Sequence, residues 1–217
     1  MYYIGIDLAW SENHSSGVAL IKDDEVLFCD TMDSIEDISY FINQYPKAKV
    51  GVDAPLLIEN QTGNREIEKL FLKDYSKYKL GVYPVNRNLM QNSLGEIRSE
   101  VLAQKISQKL GINLFEVYPH ATILECFHGS VLPYKRKKGR DTNFIRVQLN
   151  ILQEYLKTHL KGDFSTDITK LKGKALKNHE DKLDAIVCAY TLYFCQTNNY
   201  KKYGDIFIVP NGKYNKK

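Results

Sequence analysis

The sequence predicts a mixed α/β fold: a five-stranded sheet of three antiparallel strands followed by parallel crossover strands, with helices on both faces. Two observations carry this. Three apolar runs rich in β-forming residues come first (2–10, 15–22 and 25–31), with no helical stretch between them. After residue 31, segments of helical periodicity alternate with short apolar runs, the pattern of crossover units that lay parallel strands side by side. At 217 residues the chain suits one domain, 1–217, with an insertion around 57–95 and a basic segment around 133–177.

The elements follow in order. "YYIGIDLAW" (2–10) reads as a buried strand. "SSGVALIK" (15–22) and "EVLFCDT" (25–31) are separated by Asp23-Asp24, a tight-turn signal for an antiparallel hairpin. In "DSIEDISYFINQY" (33–45), Ile35, Ile38, Phe41 and Ile42 recur at helical spacing, with Asp33 or Ser34 as N-cap. "AKVGVDAPL" (48–56) returns to a strand that ends at Asp53 and is stopped by Pro55. A helix is expected around 64–78, and "YPVNRNLMQNSLG" reads as loop. "EIRSEVLAQKISQKLG" (96–111) reads as a helix with Gly111 as C-cap. "INLFEVYPH" (112–120) is the next strand, followed by a helical stretch at 120–128 and a strongly amphipathic helix at 142–160. Residues 161–178 read as a lysine-rich loop or broken helix, 178–196 as the last long helix, and "GDIFIVP" (204–210) as a short strand or extended segment.

Composition excludes several classes. Hydrophobic residues make up 43% and charged residues 26% of the chain, and mean hydropathy is −0.38. No apolar run reaches the length of a membrane span. "MYYIGIDLAW" lacks a basic start and meets Asp7 early, so no signal peptide and a cytoplasmic location are expected. Cys29, Cys126, Cys188 and Cys195 show no Cys-x-x-Cys spacing, which predicts reduced thiols rather than a zinc site. The net charge of +4 is unevenly spread. Residues 133–177 hold twelve Lys/Arg against four Asp/Glu, and residues 201–217 hold five Lys against one Asp, so the rest of the chain is acidic. An acidic body beside a basic segment suits a metal site facing a polyanion, and equally a solvated helix-and-loop region.

Carboxylates fall at informative places. Asp7 closes the first strand, Asp53 the fourth, and Glu116 lies near the end of the fifth; Asp181 and Asp184 open the last helix at a spacing that puts both on one face. If strands one, four and five are adjacent and parallel, Asp7, Asp53 and Glu116 converge at their C-terminal edge, which ligands favour in open α/β sheets. Carboxylates held close raise one another's pKa. A hard divalent cation, Mg²⁺ or Mn²⁺, relieves that repulsion with oxygen ligands. Two such ions about 4 Å apart activate a water and stabilise the leaving oxygen of a phosphodiester. Against this stands the ordinary use of Asp in turns and caps, and Asp181 suits a first helical turn. Asp184 does not fit that use. It lies between Leu183 and Ala185-Ile186-Val187, where an unpartnered carboxylate is costly.

These stretches resemble a known family. "GIDLAW" (5–10), "GVDAPL" (51–56), "EVYPHA" (116–121) and "HEDKLDAIVCAY" (179–190) are similar to the predicted RNase H-like nucleases long catalogued as domain-of-unknown-function family 429, within the ribonuclease H-like superfamily. "TGNREIEK" (62–69) and "LPYKRKKGR" (132–140) resemble two further stretches of that family, and the Asp-x-x-Asp-Ala of the last helix also resembles RuvC-type Holliday junction resolvases. The resemblance implies a ribonuclease H-like fold and a two-metal acidic site. It makes Asp7 the acid bridging both ions, Asp53 the fourth-strand acid, Asp184 with Asp181 the last-helix acids, and Glu116 a further ligand. Arg65 and Glu68 match an Arg-x-x-Glu stretch, and Arg65 is counted with the substrate contacts. Family members often carry Glu or Ala where this chain has His120, so His120 receives no catalytic role.

Three functions compete. A metal-dependent nuclease would hold nucleic-acid phosphates on Lys135, Arg136, Lys137, Lys138 and Arg140, with Tyr134 able to stack on a base or simply to pack. A kinase of the actin and sugar-kinase type needs a glycine-rich phosphate turn after the first-strand Asp, and "DLAWSENHSSG" has no glycine before Gly17. A non-catalytic nucleic-acid or protein binding module on the same fold is the third. No base-reading motif distinguishes DNA from RNA, no membrane partner is expected, and homo-oligomerisation is left open.

Overall fold

The structure is a computed structural model that describes residues 1–212, without the side chains of residues 92–94. Lys213, Lys216 and Lys217, three of the C-terminal lysines counted above, lie outside the described residues. The sheet begins with β1 (Tyr2–Asp7), β2 (Ser16–Lys22) and β3 (Glu25–Met32), paired antiparallel as expected. Asp23 turns the hairpin at φ 55°, in the left-handed region where Asp is tolerated. Helix α1 (Ile35–Asn43) starts at Ser34, whose hydroxyl accepts from the Asp37 amide at 3.0 Å. Strand β4 (Lys49–Val52) follows, parallel to β1.

Between β4 and β5 (Leu114–Glu116) lie α2 (Glu66–Tyr75), α3 (Arg87–Leu94) and α4 (Arg98–Lys105). The loop expected over 83–95 therefore contains a helix. Its start is the Asn86 side chain, which accepts from the Leu89 amide at 2.9 Å. Helix α4 ends six residues before the glycine expected to cap it. Ile106 is extended, and Gly111 turns the chain into β5 at φ 76°. Beyond β5 come α5 (Pro119–Ile123), which passes into a wider π turn at Leu124–His128, then α6 (Thr142–His159) and α7 (Gly173–Cys195). Helix α7 begins five residues earlier than the periodicity indicated, because "GKALKN" is rich in good helix formers whose lysines mask the pattern. Asp181 and Asp184 thus stand mid-helix, not in the first turn, and the helix dipole does not explain Asp181.

Strands β6 (Tyr200–Tyr203) and β7 (Phe207–Pro210) complete the sheet, in the order β3-β2-β1-β4-β5-β7-β6. It has seven strands rather than five. β7 runs parallel to β5, and β6 pairs antiparallel outside it. The "YKKY" of β6 has the lysines that blunt an exposed edge, and they hid the strand from the apolar pattern.

Alternation along β1 sends Tyr3 into a core shared with α5, α6 and α7, and Ile4 and Ile6 into a second core shared with α1 and α4. Gly5 and Asp7 share the parity of Tyr3 and so lie on the α7 face. Close approach explains the glycines there. A Cβ on Gly5 would meet the Ala185 carbonyl oxygen at 1.9 Å, one on Gly17 the Asp181 carbonyl at 2.0 Å, and one on Gly51 the Cys188 carbonyl at 3.0 Å. Helix α7 thus beds its backbone on three glycines of β1, β2 and β4. All four cysteines are free thiols. Among the described residues no helix is long and apolar enough to cross a membrane.

Candidate functional site

Two residues after Gly5 and Gly51, on the same face, come Asp7 and Asp53. Parallel pairing of β1 with β4 sets them side by side, and the Asp53 amide donates to the Ile6 carbonyl at 2.8 Å. The glycine bed under α7 brings the third acid: Asp184, fully buried, with Asp181 one turn earlier and 6% exposed. The four aspartates feel one another. Burial pushes the Asp7 carboxyl well up, the nearby Lys135 opposes that, and the charges of Asp184, Asp53 and Asp181 push it further up. Asp53 is pushed up to about 7 by burial and by Asp184, against Lys135.

The loop after the π turn covers this group. Tyr134, fully buried, donates its hydroxyl to Asp184 Oδ1 at 2.6 Å. Lys135 Nζ makes a very short contact with Asp184 Oδ2 and lies 3.4 Å from Glu180 Oε1 and 3.9 Å from Asp7 Oδ2. Burial would lower the Lys135 pKa, but Asp184 and Asp7 raise it well above the ordinary value, so the ammonium stays charged. Lys177 holds Glu180 at 3.1 Å and closely contacts Asp181. Glu180 was missed in the sequence, although its spacing from Asp184 puts both on one helix face. Five carboxylates therefore share two ammonium groups.

Glu116 does not join them. Phe115 and Val117 belong to the α7-side core and Leu114 to the other, so Glu116, paired in register with Val52, points away from α7. There Arg65 takes it in a two-pronged ion pair, Nη1 to Oε1 at 2.7 Å and Nη2 to Oε2 at 2.8 Å, and the Leu56 amide donates to Oε1 at 2.8 Å. Arg65 also donates from Nε to Glu68 at 2.9 Å and from Nη1 to the Leu57 carbonyl at 2.7 Å. Counted above as a ligand and a substrate contact, Glu116 and Arg65 stand apart from the aspartates and pin the start of α2 to the end of β5.

The basic loop divides in the same way. Arg140 donates to the Lys135 carbonyl at 2.7 Å and the Pro133 carbonyl at 3.2 Å, and so braces the loop rather than facing solvent. Lys135 is turned inward, and Tyr134 is too deeply packed to stack on a base. Arg136, Lys137 and Lys138 remain exposed. The ring of His120 lies 4.9 Å from that of Tyr134, and burial lowers its pKa to about 4. Among the described residues no group of three or more His, Cys, Asp or Glu is already spaced to hold a metal ion; the Lys135 ammonium stands amid the acids.

A family profile described as "Protein of unknown function (DUF429)" matches residues 5–204. The chain belongs to the DUF429 family. The DUF429 match takes in every carboxylate of the cluster and the whole basic loop. No curated protein and no solved structure matches the chain.

Proposed function

We propose that this DUF429 protein is a divalent-metal-dependent nuclease hydrolysing nucleic-acid phosphodiester bonds at Asp7, Asp53 and Asp184. The observation that carries this is the charge imbalance of a buried site. Asp7 and Asp53 end neighbouring parallel strands, face Asp184, and have carboxyls that resist ionisation because they are buried and crowded by like charge, against the opposing pull of Lys135. A protein keeps such an arrangement only if something compensates it.

The donor set fits Mg²⁺ or Mn²⁺, since every group offered is a hard carboxylate oxygen and two aspartates remain under-neutralised. Asp7, Asp53 and Asp184, with Asp181, would hold the ions, and the Lys135 ammonium must give up its place. When bound, two ions would lower the pKa of the attacking water and stabilise the leaving oxygen. The chain's own residues do the rest. Tyr134 fixes the Asp184 rotamer, Lys177 orients Asp181 and Glu180, and Arg136, Lys137 and Lys138 hold backbone phosphates. The order β3-β2-β1-β4-β5, antiparallel then parallel, supports a ribonuclease H-like reading of the core, with β7 and β6 as an extension.

A second reading has an observation in its favour. Lys135 already neutralises Asp184, as a non-catalytic nucleic-acid binding module would require. Cleavage of single-stranded RNA, RNA–DNA hybrid, duplex DNA and a four-way junction with Mg²⁺, Mn²⁺ or EDTA, beside Asp7→Asn, decides between them. The nuclease requires metal-dependent cutting that the folded variant loses. Cutting that survives in Asp7→Asn overturns the assignment, and metal binding without cutting on any substrate favours the module.

A further inference from the structure

On the other side of the same strand ends lies a shallow cleft lined by Leu8, Trp10, Ala54, Pro55, Met90 and Arg98. Leu8 and Ala54 directly follow Asp7 and Asp53, so the cleft lies at the same strand ends, on the opposite face of the sheet. Arg98 opens α4 and is only 6% exposed. Among the described residues its Nε and Nη1 meet no acceptor, and Nη2 reaches only the Asp33 carbonyl, at 3.4 Å. The nearby Glu36 pairs with Lys105 at 3.1 Å and feels the Arg98 charge without a hydrogen bond to it. A buried guanidinium with two idle nitrogens is costly and calls for an anionic partner. The room beside it, about 10 Å³, accepts one oxygen atom and not a whole nucleotide. At the rim stands Trp10, the chain's one tryptophan, 42% exposed.

We propose that Arg98 and Trp10 form a binding seat for single-stranded nucleic acid at the same strand ends as the carboxylates, Arg98 taking a non-bridging phosphate oxygen and Trp10 stacking on the attached base. Stacking requires an unpaired base, so the seat selects single strands or frayed ends over intact duplex. Met90 is flexible enough to yield at the mouth. The proposal names the substrate class of the nuclease proposed above and rests on that reading, but its test needs no cleavage.

The single tryptophan makes the experiment direct. A labelled octanucleotide, single-stranded or annealed to its complement, is titrated into the full chain in EDTA, and Trp10 fluorescence and label anisotropy are followed. The expected result is quenching by the single strand and little by the duplex. Binding should weaken about 10-fold in Arg98→Met and in Trp10→Ala, with Trp10→Phe retaining most of the affinity. Arg98→Met should also keep or raise the melting temperature, because an idle buried charge has been removed. Three results overturn the seat: no binding by the wild-type chain, unchanged binding in Arg98→Met, or a lowered melting temperature in that variant, which would make Arg98 a structural residue. Arg98-dependent binding without cleavage under any metal would sink the nuclease and keep the seat. Cleavage with Arg98-independent binding would do the reverse.

Discussion

Two groups of buried carboxylates sit at the C-terminal edge of one sheet, on opposite faces. Around Arg65, two glutamates meet one guanidinium whose three nitrogens all donate, and a backbone amide fills a further lone pair of Glu116. Around Lys135, five carboxylates meet two ammonium groups, and Asp7 and Asp53 resist ionisation. The first is closed: its geometry leaves nothing for a ligand to do. The second is open in charge. Burial alone does not mark a functional site, since both are buried; what separates them is whether the electrostatics are already satisfied.

The sharpest break of this comparison comes from neutralising one acid on each face. Asp7→Asn should lower metal-dependent cleavage on the order of 10³-fold, about 4 kcal/mol of barrier. Yet it should unfold no more easily than wild type in EDTA, because it removes a like charge from a crowded site. Denaturant melts beside the cleavage assay read both. Arg65→Met should do the opposite. It strands Glu116 and Glu68 in a dry site at a cost of about 3–5 kcal/mol, while metal affinity per folded molecule stays unchanged. A large activity loss with unaltered stability in Arg65→Met would mean that the two faces work as one site.

The asymmetry was partly legible in the sequence. Apolar runs and helical periodicity located the three antiparallel strands, β4, and the cores of α1, α6 and α7, because those elements bury continuous faces. The same runs put Asp7 and Asp53 at strand ends. Parity is legible too. Glycines two residues before Asp7 and Asp53 signal close approach by a helix on that face, whereas Phe115 and Val117 flank Glu116 and turn it the other way. Three things were not legible. The start of α7 hides in a lysine-rich stretch, β6 hides behind its edge lysines, and the inward turn of Lys135 depends on the Arg140 brace within an irregular loop.

The glycine bed offers a narrower test. Gly17→Ala places a methyl group against the Asp181 carbonyl, where the gap is 2.0 Å to backbone and no side chain can move aside. Overpacking of this kind costs about 1–3 kcal/mol. The strain falls on α7 beside Asp181 and Asp184, so metal affinity, read by calorimetry on the folded variant, should fall with stability. Gly63→Ala meets nothing within 4 Å, though its φ of +71° adds strain of its own. It should lower stability without touching metal affinity, and so serves as the control.

The smallest effect bears on how Lys135 and the metal share one place. Lys135→Met removes the ammonium nearest Asp184 while keeping most of the side-chain volume. In EDTA this should cost about 1–2 kcal/mol, less than for a fully buried pair because the lysine is partly exposed. For a chain of this size that lowers the melting temperature by about 2–8 °C. Saturating Mg²⁺ should then erase the deficit. An ion that no longer competes with an ammonium binds the variant more tightly, and a ligand of the native state stabilises in proportion to the logarithm of its concentration over Kd. A structural lysine at a site that takes no metal would behave otherwise, with the deficit the same in Mg²⁺ and EDTA. Melting curves of both proteins across a Mg²⁺ series thus separate an open charge site from a closed one without any substrate, and the Arg65 cluster on the opposite face predicts no metal response at all.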